Sequence, residues 1–371
     1  MATLFETTTL GGLTLRNRFV RSATWEGLAG DDGSVTPALT EKMVELARGE
    51  VGFIITSHAF VRPDGRAGMR QLGVYDDGLL PGLAALTEAV HAAGGRIALQ
   101  LAHAGMNANT DLSGLPAVGP SVVPGLPACE ALDAAGIATL VDAFAQAAAR
   151  AKQAGFDAVQ IHAAHGYLLN QFLSPAWNRR DDAYGGAVEQ RARMLLEILA
   201  AVRAAVGPHF PVLAKINAED FVENGQTVDD ALAVAALLEA AGLDGLELSG
   251  GCKQAGPSRM PARKGRIRSR DEEVYYRRAA ARLKERLCLP LILVGGIRSF
   301  ETAESLVDTG AADYVALARP LVCEPDLVKR WRAGDCRPAL CVSDNACYIP
   351  ILAGQGIACP TFAKKRGQTA G

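Results

Sequence analysis

The stretch PLILVGGIRSFETAESL, residues 290–306, contains the unit from which the fold can be read. Its first five residues form a continuous apolar run. A strand with one wet face alternates apolar and polar, whereas a parallel strand covered on both faces stays apolar throughout. Two glycines end the run. Ser299 then offers an N-cap, with an acid two residues on, and an amphipathic helical pattern covers 299–309. One buried strand, a tight exit and one covering helix make a β/α unit.

The same unit recurs in both directions along the chain. Apolar runs of strand length occur at 18–23, 52–57, 96–102, 157–162, 211–216, 245–250, 290–296 and 313–319. Amphipathic stretches near 37–50, 80–94, 137–155, 186–206, 227–242, 271–287, 299–309 and 325–333 separate and follow them, and Thr227 is a second N-cap candidate. Eight strand–helix pairs in series predict an α/β protein built as a single (β/α)8 TIM barrel. A doubly wound sheet would place a GxGxxG turn after the first strand, and none occurs there. FETTTLGGLTL, residues 5–15, reads as a short N-terminal hairpin below the barrel. The expected division is a barrel over 1–335 and a cysteine-containing C-terminal extension over 336–371.

Composition narrows the class. The chain carries 38 basic and 40 acidic residues, which argues against nucleic acid as a partner. No apolar run reaches the ~18 residues of a membrane span, and MATLFETTTL lacks the basic and apolar regions of a signal peptide. A cytoplasmic protein with no membrane partner is expected, and a homo-oligomer is compatible with the sequence. In a reducing compartment the eight cysteines read as free thiols or metal ligands. Four of them fall in the last 36 residues.

Two connections stand out. Residues 103–136 form a long loop rich in proline and glycine, and loops of that length are usually functional or disordered. SRMPARKGRIRSR, 258–270, holds six basic residues and no acid. It is either a solvated surface run or a dock for an anionic cosubstrate. Both loops follow strands and belong to the C-terminal face, where barrel active sites sit.

The strand ends on that face carry the chemistry. Gly295-Gly296 after the seventh run and Ala318-Arg319 after the eighth match a phosphate site: close backbone approach, free amides and a guanidinium fork. Lys215 puts a positive charge in the mouth. It would stabilise an anionic ring, form a Schiff base with a carbonyl, or pair with a neighbour such as Glu219 or Asp220. Gln100 both donates and accepts, which suits a heterocycle edge. His162 and His165, followed by Tyr167, can converge on one small volume. There two imidazoles would polarise a substrate oxygen and a neutral phenol would deliver a proton. Zinc binding by the histidine pair, or core histidines satisfied by backbone groups, are the alternatives.

At these residues the sequence resembles the Old Yellow Enzyme family of NADH:flavin oxidoreductases, the FMN-dependent ene-reductases. The likeness runs through GGLTLRNRFVRSA, LQLAHAG, IHAAHGYLLNQFLSPAWNRRDDAYGG, VGGIRSFETAESL and ADYVALARPL. It implies FMN across the C-terminal mouth and NADH or NADPH as cosubstrate. Ala23 and Thr24 would then lie along the flavin, Gln100 at its pyrimidine edge and Lys215 near N1 and O2. Gly295, Gly296, Ala318 and Arg319 would hold the phosphate. His162 and His165 would bind the activating oxygen of a small electrophilic alkene, and Tyr167 would be its proton donor.

The sequence departs from the family pattern in three places. Trp25 stands in the substrate pocket where relatives carry Cys or Thr near the flavin O4. His58 stands where relatives have a small residue close to the flavin, and is either a third imidazole near the ring or a strand-end residue facing the loop. Larger relatives bind a [4Fe–4S] cluster after the barrel. Here Cys341, Cys347 and Cys359 align with its ligands but Asp344 replaces one, and a carboxylate is a poor substitute. The tail therefore reads as a degenerate cluster site with no metal, although Cys336 would complete a set of four. The competing functions are a Schiff-base lyase or aldolase using Lys215, a flavoprotein desaturase, and an accessory flavoprotein blocked by Trp25.

Overall fold

The computed structural model describes residues 3–363; the last eight residues of the expected extension, 364–371, lie outside the described residues. The chain begins with an antiparallel hairpin of β1 (Thr8–Leu10) and β2 (Leu13–Leu15). The barrel strands are β3 (Phe19–Arg21), β4 (Phe53–Phe60), β5 (Ile97–Ala102), β8 (Ala158–Ala163), β9 (Val212–Asn217), β10 (Gly245–Ser249), β11 (Leu291–Val294) and β12 (Tyr314–Leu317). They pair in parallel, each with the next, and β12 returns to β3, so the sheet closes. A two-residue pair, β6 (Val118–Gly119) with β7 (Glu130–Ala131), lies in the long loop between β5 and β8. The closed parallel barrel, its ring of intervening helices and the N-terminal hairpin agree with the sequence reading.

The two-residue period of a strand explains what fills the barrel. Low in the barrel, Phe53, Ile55, Ala98, Ala158, Leu213, Ile292 and Tyr314 pack together, and Leu10 and Leu15 of the hairpin close that end. Each of those leucines is fully buried, a contribution of about 1.5–3 kcal/mol apiece. Two residues further along the strands the inward positions become polar: Gln100, Gln160, Lys215 and Glu247. Two further again stand His162, Asn217 and Ser249, at the open end. The apolar runs are therefore interrupted at matching heights, and polar side chains are confined to the half of the barrel nearest the mouth.

The helices follow the expected ranges with two adjustments. Thr227 caps the helix Val228–Ala240 by accepting from the Asp230 amide, and Asp230 accepts in return. Ser299 occupies the N-cap of the helix Phe300–Asp308 but makes no capping bond. Buried Glu273 does that work, accepting from the Arg298 and Ser299 amides at 3.0 and 3.2 Å and from the Ser299 hydroxyl. The preceding helix spans only Arg277–Lys284, shorter than the expected stretch. Among the described residues, no helix is long and apolar enough to cross a membrane.

Candidate active site

A cavity of about 490 Å³ occupies the C-terminal mouth. Ala23, Thr24, Trp25, His58, Gln100, His162, His165, Tyr167, Lys215, Gly295, Ala318 and Arg319 line it. Gly296 lies in an adjoining niche of about 60 Å³ that shares Val294, Gly295, Ala318 and Arg319 with the main chamber. Each residue the sequence reading put at the flavin and substrate site lies at this mouth or in its niche, although the chain separates the first from the last by nearly 300 positions.

The floor is a hydrogen-bonded polar chain. Lys215 Nζ donates to Ser22 Oγ at 2.8 Å and to Glu247 Oε1 at 3.0 Å; Ser22 Oγ donates to the same oxygen at 2.5 Å. Gln160 Nε2 donates to Glu247 Oε2 at 2.9 Å, and Gln100 Nε2 donates to Gln160 Oε1 at 2.7 Å. The partner of Lys215 is therefore Glu247, two residues from the end of β10, and not Glu219 or Asp220. The carboxylate also sets the direction of the chain. It can only accept, so Gln160 must present its amide nitrogen there and its oxygen to Gln100.

The wall is aromatic. The His162 ring centroid lies 5.1 Å from that of His165 and 5.1 Å from that of Tyr167, both edge-on. A reversal after β8 produces this grouping. His165 (φ 66°) and Gly166 (φ 75°) take consecutive left-handed conformations, the second of which glycine adopts without strain. Asn217 Oδ1 accepts from the His165 amide and Asn170 Oδ1 from the Gly166 amide. Buried Asp220 holds both asparagines in place. His165 Nε2 lies 2.8 Å from Ser249 Oγ, and His162 Nδ1 is buried without a partner. Burial and the nearby Lys215 hold both imidazoles well below their ordinary pKa, with His165 also acting on His162, so they are neutral at pH 7. Burial pushes the Tyr167 phenol well above its usual value, so it keeps its proton.

His58 faces the cavity, with Nε2 3.2 Å from Tyr167 Oη; burial and Lys215 lower it to about 4. Trp25 lines the cavity and packs against Cys347, Ile351 and Ile357 of the C-terminal segment. Its loop is held by Arg21, which pairs with Glu26 and donates to the Thr24 carbonyl. At the niche, Arg319 Nη1 donates to the Arg263 carbonyl and to Asn345 Oδ1. Gly296 has φ 75°, and a Cβ there would meet the Tyr275 ring at 2.5 Å.

Sequence reasoning missed Ser22, Gln160, Glu247 and Tyr348. The first three sit inside apolar runs, where a polar residue at a strand interior is itself the signal. Tyr348 comes from the tail and had no such signal. Burial, and then the neighbouring Cys359 and Cys341, raise the Cys323 thiol. Among the described residues, no group of three or more His, Cys, Asp or Glu is arranged to hold a metal ion.

The chamber and niche suit a flat heterocycle carrying an anion. Polar edges line the floor, His162 Nδ1 and Trp25 Nε1 are buried without partners, and a small pocket with an arginine opens to one side. The chain is 38% identical over 340 residues to an NADH oxidase of Thermoanaerobacter brockii, covering 89% of this chain and 51% of that protein. It thus spans about half the length of that relative. It is 36% identical over 385 residues to a 4,4'-dithiodibutanoate disulfide reductase of Rhodococcus erythropolis, covering 95% and 93%. An old yellow enzyme homologue from Zymomonas mobilis superposes with a TM-score of 0.79 at 26% identity, covering 97% of this chain and 98% of that one. The family model for "NADH:flavin oxidoreductase / NADH oxidase family" matches residues 3–336. The chain therefore belongs to that family, the FMN-dependent flavin oxidoreductases of the Old Yellow Enzyme type.

Proposed function

We propose that this protein is an NAD(P)H-dependent ene-reductase acting on a small alkene activated by a carbonyl or nitro group. The observation that carries this reading is the grouping of two neutral imidazoles and a protonated phenol on one wall of the mouth. FMN, when bound, would supply the hydride-transfer chemistry between NAD(P)H and the alkene Cβ.

The residues divide the remaining work. Gln100 would meet the pyrimidine edge of the flavin; its amide orientation is set through Gln160 by Glu247. Lys215 would present positive charge to the N1–O2 side of the flavin, and Ala23, Thr24 and His58, which line the cavity, would flank the ring. Gly295, Gly296, Ala318 and Arg319 hold the phosphate in the niche. His162 and His165 donate to the activating oxygen, and Tyr167 places its proton at Cα. Trp25 narrows the substrate side and ties it to the tail. The Lys215 ammonium is engaged by Glu247 and Ser22, which favours a charge role over a Schiff base. The near full-length disulfide reductase relative favours a second substrate class, small organic disulfides.

The test is anaerobic stopped-flow on the FMN-loaded protein. Tyr167→Phe should slow reoxidation by cyclohexenone about 10²–10⁴-fold while leaving reduction by NAD(P)H within severalfold. Equal loss in both half-reactions would overturn the proton-donor role. Reoxidation by a dialkyl disulfide but by no enone or nitroalkene would move the reading to the second class.

A further inference from the structure

β4 carries one residue more than its neighbour. Ile54 and Ile55 pair with Ile97 and Ala98 of β5, but the next pair is His58 with Gln100, so three steps on β4 match two on β5. This is a β-bulge, a device that re-aims side chains beside active sites. Thr56 Oγ1 accepts from the Gln100 amide and covers the break. Phe53 and Ile55 point into the barrel. Without the extra residue Ser57 would be the next inward position, and with it the position falls to His58.

The bulge delivers an imidazole to the phenol. Nε2 of His58 is 3.2 Å from Tyr167 Oη, and this is the one hydrogen bond the phenol makes among the described residues. The ring centroids lie 5.4 Å apart. The His58 carbonyl accepts from Gln71 Nε2 at 2.8 Å, and Gln71 Oε1 accepts from the Ala67 and Gly68 amides, so the backbone carrying the imidazole is pinned to the next loop. Both His58 and Tyr167 line the cavity.

We propose that His58 is the proton-relay partner of Tyr167: its Nε2–H donates to Oη, turns the phenol hydrogen toward the substrate, and refills Oη when that hydrogen leaves. The inference rests on the reading of Tyr167 as donor. In the step the Tyr167 O–H bond breaks and a C–H bond forms at the substrate carbon. The His58 Nε2 proton moves to Oη, and a water at the cavity gives a proton to Nδ1. No electrons change hands within the protein. After the histidine tautomer resets by exchange with water, both residues are unchanged and the solvent has lost one proton. A buried phenol with a raised pKa makes a poor tyrosinate, so refilling it during the transfer removes a costly intermediate.

The experiment compares His58→Gln, His58→Phe and Tyr167→Phe with the parent, each FMN-loaded, by anaerobic stopped-flow in H₂O and D₂O. Glutamine can still donate to Oη but cannot pass a proton through; phenylalanine keeps volume only. Both His58 variants should slow reoxidation by cyclohexenone at least tenfold relative to reduction by NADPH. Their solvent isotope effect should rise, and added imidazole should restore rate in His58→Phe less than in a His58→Ala variant, which leaves room for it. Reoxidation within twofold of the parent in both His58 variants, with Tyr167→Phe slow, overturns the relay alone. An unaffected Tyr167→Phe overturns the relay and the donor role together. Rescue of reoxidation by glutamine to the parent rate and isotope effect overturns proton transfer through the ring.

Discussion

Replacing Glu247 with leucine should be among the most damaging single changes in the barrel, and the reason is charge. The side chain accepts from Ser22, Lys215 and Gln160 at 2.5, 3.0 and 2.9 Å. Side-chain exposure is 3% for Lys215 and 0% for Glu247, so water cannot substitute for the missing carboxylate. Removing one partner of a buried pair strands the other charge and costs about 3–5 kcal/mol. Lys215→Met should cost about the same, again 3–5 kcal/mol, because it strands the carboxylate. The double variant leaves no stranded charge, so the two costs should fail to add by about 3 kcal/mol. Urea unfolding of the apoprotein, with the same analysis for all four proteins, measures the cycle. The exposed Arg282–Asp229 pair is the control and should show coupling of about 0–1 kcal/mol. An additive cycle at Lys215 and Glu247, with each single variant under about 1 kcal/mol, would refute the account of the floor as a tightly coupled ion pair.

Gly296→Ala should release FMN, seen as lost flavin absorbance after gel filtration. Its φ of 75° and the Tyr275 ring 2.5 Å from a new Cβ force the niche to reshape; retention of stoichiometric FMN would count against the niche as the phosphate site. Stability should fall on acidification through the histidines. His58 titrates at about 4 in the fold against 6.5 unperturbed, and His162 and His165 lie well below that value. Between those values the unfolded chain binds protons that the folded chain does not, so stability is full above about pH 6.5 and drains as pH falls toward about 4. Urea midpoints at pH 7.5 and 5 should show the loss, and a His58→Gln/His162→Gln/His165→Gln variant should flatten it; an unchanged slope would rule out these imidazoles as the source.

The strands were legible because each is covered on both faces. PLILV and its seven counterparts are mostly apolar on both faces, with few polar interruptions, and all eight barrel strands fall on the expected runs to within a few residues. The glycine pair and Arg319 were legible from their place after the last two runs. Ser299 was placed correctly at a helix start, but its capping partner was not, because Glu273 reaches it from 26 residues away. The proximity of Cys323 to Cys359 was hidden for the same reason: 36 positions separate them.

The sequence by itself determined the eight-fold alternation, the end of the barrel that would be polar, and the residues that would gather there. These follow from local periodicity and from parallel strands that all end on one face. Only the tertiary structure decided which of those residues touch. Lys215 chose Glu247 because β9 and β10 lie side by side in register, with Glu247 opposite Lys215. His58 met Tyr167 because one extra residue in β4 reversed the parity of that strand. Trp25 and Tyr348, more than 300 positions apart, came to line one cavity, and Trp25 packs against Cys347, Ile351 and Ile357 of the tail. Such contacts depend on barrel closure and strand register, which no single stretch of chain contains.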